Sequence, residues 1–246
     1  MKGNMKKIGV LIMVCSLGLA VQAQLIDDFS SGNLNAYTAT RILNNGNHSP
    51  VNSWGWEING SGAVQLNTTN YIGIEQFALT RTDYPLGVYY ELTATFVAGY
   101  TGTQDIGLYV GAGTPTTDVR ANYVNIYMRN NGQLFSRGFN GTTEFSLSGG
   151  GTPTVSSLFI ARTATDVFEL GWYQGTTRNI LATRTVSNGN LAGIGNAIGF
   201  YADVRSAGIV GSMDDLTLTF IPEPGTMTLC GLGGFLGLVA WIRRRK

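Results

Sequence analysis

The sequence predicts an all-β protein, a single antiparallel β-sandwich with an N-terminal signal peptide before it and a C-terminal transmembrane helix after it. Residues 24–220 alternate apolar and polar side chains with a period of two, and turns rich in Gly and Asn separate the alternating runs. Outside the two ends, no 12-residue window has the 3.6-residue period of an amphipathic helix. With 43% hydrophobic and 13% charged residues, the chain is too apolar to be disordered.

Residues 1–23 have the pattern of a secretory signal peptide. Lys6 and Lys7 form a basic start, and an uncharged apolar run follows over residues 8–19. That run is too short to span a bilayer, which needs about 20 residues. We expect cleavage after residue 23, so that the mature chain begins at Gln24 outside the cytosol.

The body, residues 24–220, consists of repeated alternating runs. From Val88 to Val97, for example, apolar and polar side chains take turns, which places one strand face in a core and the other toward solvent. Asn and Gly accept positive φ, so segments rich in them are typical of hairpin turns. Such segments occur at residues 130–132, 175–177 and 187–190. About a dozen strands in nearly 200 residues predict one sandwich and not two domains.

Residues 221–246 form a segment of three parts. The sequence Pro222-Glu223-Pro224 comes first, and residues 226–242 follow without a charge. As a helix these 17 residues are about 25 Å long, which is the lower limit for crossing a bilayer. The four basic residues 243–246 favour a cytoplasmic C-terminus, which leaves the body on the outer side of the membrane.

This order of parts resembles the bacterial PEP-CTERM sorting signal. The resemblance implies that a membrane peptidase, exosortase, recognises Pro222, Glu223 and Pro224 and removes the tail near them. It also implies an exported protein that is anchored transiently and then released to the cell surface or the extracellular matrix. The alternative is an ordinary anchor that is never removed, which would keep the protein in the membrane on the periplasmic side.

Two features of the body resemble the concanavalin A-like jelly roll, the fold of legume-type lectins, LamG-type modules and several glycanases. The segments 25–30 and 213–218 resemble its first and last strands, which usually pair. The runs 158–162 and 168–172 resemble one of its hairpins. An immunoglobulin-like sandwich is the alternative, although it rarely needs so many strands.

Charge and cysteine distribution exclude some functions. Residues 24–220 contain nine arginines and 14 acids, a net charge near −5, and this is not the basic face of a nucleic-acid-binding protein. Both cysteines, Cys15 and Cys230, lie in the terminal segments. The body therefore contains no disulfide and depends on its core for stability.

The body has few groups suited to catalysis. Its one histidine, His48, lies in a turn-forming polar segment, and the body contains no cysteine nucleophile. Glycoside hydrolysis needs two carboxyl groups across a sugar bond, and the glycanases of this fold place theirs as Glu-x-Asp-x-x-Glu. That spacing is absent, because Glu91 and Glu169 have no acid two positions later. We therefore expect a non-catalytic protein; the alternative is a carbohydrate-active enzyme whose carboxylates converge from separate strands.

Four acids near the ends of the body are candidate ligands for a structural calcium ion: Asp27, Asp28, Asp214 and Asp215. Pairing of the first and last strands would bring them together, and calcium prefers carboxylate oxygens. The alternative is that these carboxylates accept hydrogen bonds from nearby backbone N–H groups. No other cofactor is expected.

One strand carries a candidate carbohydrate site. Glycan sites combine aromatic faces with planar hydrogen-bonding side chains. The outward positions of this strand supply both types: Tyr123, Asn125, Tyr127 and Arg129. Tyr89 and Glu91 would extend that face if their strand is adjacent, and Trp54 and Trp56, near a loop, are further candidates. The alternative is that these aromatic residues pack across strands as structural residues.

The sequence thus predicts an exported, surface-sorted, non-catalytic protein of the bacterial envelope or extracellular polysaccharide matrix. Its expected role is carbohydrate binding or adhesion. Its expected partners are the sorting peptidase, the membrane before processing, and extracellular polysaccharide.

Overall fold

The computed structural model describes residues 22–44, 54–84, 86–97, 104–116, 119, 123–129, 131–137, 144–146, 154–186 and 196–221. The predicted hydrophobic part of the signal peptide, the Pro222-Glu223-Pro224 sequence with the span after it, and His48 lie outside these residues. No helix within the described ranges has the length and apolarity that crossing a membrane requires.

The described residues form thirteen strands, which confirms the all-β prediction. Every pair of strands with a defined register is antiparallel. The strands are β1 (Gln22–Asp27), β2 (Thr38–Asn44), β3 (Trp54–Ile58), β4 (Val64–Arg81), β5 (Tyr90–Val97), β6 (Gln104–Gly111), β7 (Val124–Arg129), β8 (Leu134–Arg137), β9 (Glu144–Ser146), β10 (Ser157–Arg162), β11 (Val167–Gln174), β12 (Thr177–Thr185) and β13 (Ala197–Phe220).

The strands form two layers that share β13. In the first layer the order is β2-β4-β13-β6-β7-β8-β9, and in the second it is β12-β11-β10-β5-β13. The 24-residue β13 belongs to both layers, and its pairing with β4 shifts register around Ser206 and Gly208. Gly208 has a φ of 130°, a backbone conformation that residues with a side chain rarely adopt. Glycine at this position therefore allows the shift in register. β1 pairs with β13, as predicted for the first and last strands.

The main core lies between the two layers. β10 and β11 of the second layer lie opposite β6 and β7 of the first. The alternating apolar positions that the sequence indicates meet there: Leu92, Ala94, Leu158, Ile160, Phe168, Leu170 and Trp172 from one side, and Ile106, Leu108, Val110, Val124, Ile126 and Met128 from the other. Burying each large apolar side chain stabilises the fold by about 1.5–3 kcal/mol, so this core can replace disulfides.

Candidate functional site

The predicted glycan strand lies in the first layer, with its four candidate residues on the face opposite the main core. That face is not open to solvent. The exposed fraction is 9% for Tyr123 and 0% for both Asn125 and Tyr127, and only Arg129 is half-buried. The prediction that this tyrosine strand faces solvent is therefore wrong, because a buried ring cannot stack on a sugar.

Aromatic and aliphatic residues pack together on this face, which we call the tyrosine face: Ala78, Tyr109, Val119, Tyr123, Tyr127, Phe135 and Tyr201. The ring of Tyr127 stacks on Phe135 at 5.7 Å between centroids and meets the edge of Tyr201 at 5.8 Å. Tyr109 and Tyr123 meet edge to face at 5.6 Å. These rings form a second small core, which is the structural alternative that the sequence left open.

Val119, from the connection between β6 and β7, is held over the tyrosine face by hydrogen bonds. Its N–H donates to Gln76 Oε1 at 3.2 Å, and its carbonyl accepts from Asn125 Nδ2 at 3.2 Å. Beneath it, Tyr109 and Thr80 share a hydrogen bond between hydroxyls. Burial raises the pKa of the Tyr109 phenol well above its usual range, so the hydroxyl stays protonated.

One end of the tyrosine face carries a row of polar residues in register. Gln76 pairs with Asp203, Asp203 with Asp105, and Asp105 with Arg129. Arg129 Nε lies 3.3 Å from Asp105 Oδ1, and Tyr201 Oη lies 3.4 Å from Asp203 Oδ2. Asp105 and Asp203 are both buried. Two carboxylates from separate strands therefore do converge, although no local sequence pattern indicates it.

A second group of side chains, whose meeting no local sequence pattern indicates, lies on the outer face of the second layer. We call it the Arg178 cluster, and its members come from β5, β10, β11 and β12: Glu91, Phe159, Glu169, Tyr173 and Arg178. Arg178 Nε donates to Glu91 Oε2 and Nη1 donates to Glu169 Oε2, both at 2.9 Å. Tyr173 Oη donates to the other oxygen of Glu91 at 2.7 Å. Arg178 and Glu169 remain 31% and 26% exposed, so a ligand in solution can reach them.

Gly171 makes the close packing in the Arg178 cluster possible. It lies opposite Phe159 in the sheet, and a Cβ here would lie 2.7 Å from the Phe159 ring and overlap the carbonyl oxygen of Asn179. Because Gly171 has no side chain, the Phe159 ring can pack over this position, and the Arg178 guanidinium lies 4.0 Å from the ring centroid.

Arg178 stays charged and the Tyr173 phenol stays protonated near neutral pH. Burial alone lowers the pKa of Arg178, but its hydrogen bonds to Glu169 and Glu91 raise that pKa above its ordinary value overall. Burial, helped by the hydrogen bond to Glu91, raises the pKa of Tyr173 to about 12. The two bonds to the carboxylates use two of the five guanidinium N–H donors, which leaves further donors for a ligand.

The other predicted carbohydrate residues do not extend the tyrosine strand. Glu91 lies in the other layer because β5 is not adjacent to β7, and Tyr89, just before β5, has a φ of 68°. Trp56 belongs to the main core, and Trp54 packs on Phe77 at 4.9 Å between ring centroids. The hypothesis that Tyr89 and Glu91 extend the tyrosine strand is wrong, because β5 lies in the other layer.

Three of the four predicted calcium ligands accept local backbone hydrogen bonds in the structure, and Asp215 Oδ2 accepts a hydrogen bond from the Thr95 hydroxyl at 3.5 Å. Asp27 Oδ1 accepts from the Phe29 N–H at 2.8 Å and Asp28 Oδ1 from the Ser30 N–H at 3.0 Å. Asp214 Oδ1 accepts from the Asp215 N–H at 2.8 Å. The part of the chain that the structure describes contains no group of three or more His, Cys, Asp or Glu residues placed to hold a metal ion. The local alternative is therefore observed, and a calcium ion at these acids stays a prediction.

The comparisons with known proteins concern the two parts of the chain separately. Residues 220–246 match the PEP-CTERM protein-sorting motif. Among solved structures, a lectin from Bauhinia forficata in complex with GalNAc is similar, with 10% identity and a TM-score of 0.50 over 81% of this chain and 98% of that one. No curated protein matches the sequence.

Two further structures show weaker similarity. Lectin II from Ulex europaeus has 10% identity and a TM-score of 0.43, over 76% of this chain and 98% of that one. A glycoside hydrolase family 16 endo-glucanase from Bacteroides ovatus has 9% identity and a TM-score of 0.46, over 79% of this chain and 98% of that one. The chain thus carries a PEP-CTERM sorting motif at its C-terminus, and its body has the jelly-roll fold of legume lectins and other concanavalin A-like proteins.

Proposed function

We propose that this protein is exported, sorted to the bacterial surface or its extracellular polysaccharide matrix, and acts there as a non-catalytic carbohydrate-binding protein. The sorting motif at residues 220–246 indicates an exported protein that is anchored in the membrane before processing. In this proposal exosortase recognises Pro222, Glu223 and Pro224 and removes the segment that follows. The body then remains outside the cell without its membrane anchor.

The observation that supports carbohydrate binding is the accessible Arg178 cluster. Sugar hydroxyls both donate and accept hydrogen bonds, and Glu169 and Arg178 offer an acceptor and donors side by side. The hydrogen bonds and the ring beneath hold the guanidinium in one orientation. The Arg178 side chain then loses little conformational entropy when a glycan binds. This lowers the free-energy cost of binding, so that a small number of contacts is sufficient.

The same geometry favours binding over hydrolysis at this cluster. A hydrolase needs room for a sugar bond and a water molecule between its two carboxyl groups. Here the Arg178 guanidinium occupies the space between Glu91 and Glu169, and hydrogen bonds hold it to both.

A second candidate function is glycoside hydrolysis by Asp105 and Asp203; both carboxylates are buried, so this function requires the residues that cover them to move aside. It is favoured by the pairing of Asp105 with Asp203, because cross-strand neighbours have Cβ atoms about 4.5–5.5 Å apart. Retaining enzymes hold their two carboxyl groups roughly 5–5.5 Å apart, a separation that side chains at neighbouring strand positions can reach. Release of reducing sugar from a polysaccharide, lost in both Asp105→Asn and Asp203→Asn, would establish this function and overturn the non-catalytic proposal.

Binding of the full-length protein in detergent to a panel of polysaccharides tests the main proposal. We expect Arg178→Ala to weaken polysaccharide binding at least tenfold, because the guanidinium N–H groups that donate hydrogen bonds to the glycan are lost. Arg129→Ala is the matched control, since Arg129 also pairs with a carboxylate and lies 3.8 Å above an aromatic ring, but in the other layer. Equal unfolding midpoints would show that both variants fold. Binding that survives Arg178→Ala, or that is lost equally in both variants, contradicts the assignment.

A further inference from the structure

The turn between β3 and β4 carries the sequence Asn59-Gly60-Ser61, which has the Asn-x-Ser pattern of an N-glycosylation acceptor. Gly60 and Ser61 are exposed and Asn59 is half-buried. We propose that Asn59 is a modification site that receives an N-linked glycan from a lipid-linked oligosaccharide after export. The proposal rests on the export part of the proposed function and is independent of carbohydrate binding.

The local hydrogen bonds arrange Asn59 and Ser61 as the acceptor pattern requires. The Ser61 hydroxyl donates to Asn59 Oδ1 at 2.7 Å, so the two side chains that define the pattern are in contact. The N–H groups of Ser61 and Ala63 donate to the same oxygen, both at 3.0 Å. These three bonds all use the side-chain amide oxygen of Asn59, and its nitrogen is the atom to be modified.

The folded turn can accommodate a glycan on this nitrogen. Asn59 Nδ2 has two N–H groups, and it donates to Gln65 Oε1 at 3.2 Å. A glycosyl group replaces one of these hydrogens, and the other can still donate to Gln65. The exposed Gly60 and Ser61 leave space for the sugar next to the turn. Modification and folding are thus compatible at this position.

A second acceptor pattern on the same hairpin, Asn67-Thr68-Thr69, is in a different environment. Thr68 is buried, and its hydroxyl donates to the carbonyl of Gly208 at 3.2 Å. Asn67 lies within β4, opposite Gly55 of β3. Asn67 therefore lies in a paired strand beside a buried residue, unlike Asn59 at an exposed turn, and we expect Asn67 to remain unmodified. The patterns at Asn47 and Asn140 lie outside the described residues.

The transfer step is a substitution at the anomeric carbon of the donor sugar. A bond forms between Asn59 Nδ2 and C1, and the bond between C1 and the phosphate oxygen of the donor breaks. The amide proton goes to a base of the oligosaccharyltransferase, and the lipid pyrophosphate leaves. No group is oxidised or reduced.

Mass spectrometry of the protein purified from its host's envelope tests this site. Trypsin releases residues 42–81 as one peptide, and cleavage after Glu57 and Glu75 isolates residues 58–75. Fragmentation that keeps sugars on side chains then distinguishes Asn59 from Asn67. We expect the glycan mass on Asn59 to disappear completely in Asn59→Gln and Ser61→Ala. It should persist in Ser61→Thr, which keeps the hydroxyl, and in the matched control Asn67→Gln.

The outcomes separate this proposal from the proposed function. The N-terminus of the same sample shows whether the chain was exported, because a processed chain begins at Gln24. A processed chain with bare Asn59, or with its glycan on Asn67, overturns the modification site alone. A native form that is found in the cytoplasm and keeps Met1 overturns export and the modification site together, whereas carbohydrate binding is tested separately by the polysaccharide panel.

Discussion

At the scale of single residues, Asp214 has a charge that the fold disfavours. Burial raises the pKa of its carboxyl above the usual range, and the charges of Asp215, Asp28 and Asp27 raise it further, against the opposing effect of the Asp215 N–H. A carboxyl group whose pKa is higher in the folded than in the unfolded protein binds its proton more tightly in the folded state. Its contribution to stability therefore falls as pH rises toward and through that pKa and is unfavourable at neutral pH.

We expect Asp214→Asn to raise the thermal unfolding midpoint at pH 7. The corresponding increase in the free energy of unfolding should be less than about 1 kcal/mol. The amide oxygen can still accept from the Asp215 N–H, so only the charge is removed. The gain should shrink as pH falls below the folded-state pKa, because the wild-type carboxyl is then neutral as well. Thermal unfolding of both proteins across acidic and neutral pH measures this, and a variant less stable at pH 7 would contradict it.

The same variant tests the predicted calcium site. An ion held by Asp27, Asp28, Asp214 and Asp215 would raise the wild-type unfolding midpoint in excess calcium relative to EDTA, and Asp214→Asn would reduce that increase. Equal wild-type midpoints in calcium and in EDTA would contradict the site.

At the scale of elements, β6 and β7 approach closely beneath the tyrosine face. A Cβ on Gly107 would overlap the carbonyl oxygen of Ile126 and the Cα of Tyr127, and both are backbone atoms that cannot rotate away. The glycine therefore sets how closely the two strands pack and where the Tyr127 ring lies. Extra atoms in a packed interior force the backbone to shift.

We expect Gly107→Ala to destabilise the protein by about 3 kcal/mol, because the two strands must separate. Gly55→Ala is the matched control, since Gly55 is also within a strand but a Cβ there meets no atom within 4 Å. Its effect should be below about 1 kcal/mol. Denaturant unfolding of both variants measures the difference, and similar free energies of unfolding would show that the strands are not in tight contact at Gly107.

The alternation of apolar and polar residues in β7 correctly predicted that one face of the strand lies in the main core, and wrongly predicted that the other face is exposed to solvent. The apolar positions Val124, Ile126 and Met128 are in the main core, as the period of two indicates. The opposite face of β7 is also buried, because Val119 and rings from neighbouring strands cover it. Alternation records which residues share a face, but not what packs against that face.

At the scale of the whole molecule, the sequence divides the protein into a body and two segments that processing is expected to remove. Residues Gln24–Leu218 form one compact unit. The sorting motif begins at residue 220, and β13 ends at Phe220. Both cysteines, Cys15 and Cys230, lie outside the body.

We expect the surface form of the protein to contain no thiol, because removal of both terminal segments removes both cysteines. Labelling with a maleimide mass tag after denaturation should modify the full-length precursor at two positions and leave the surface form unmodified. Intact mass should correspond to a chain that begins at Gln24 and ends near Pro222–Pro224, apart from any attached group. A surface form with one reactive thiol would show that one end is retained, and a retained C-terminal segment would overturn sorting by cleavage.

The sequence by itself determined the fold class, the apolar faces of the core strands and the sorting segment. Each of these depends on residues that are consecutive in the chain: the period of apolar side chains, the composition of turns, and the order of the three parts of the C-terminal segment. Local sequence patterns are therefore sufficient to predict them. Only the tertiary structure decided which surface is open and which charges meet. Glu91 meets Arg178, and Asp105 meets Asp203, across strands far apart in the chain. Strand order and register create those contacts, and both depend on the packing of the two layers as a whole.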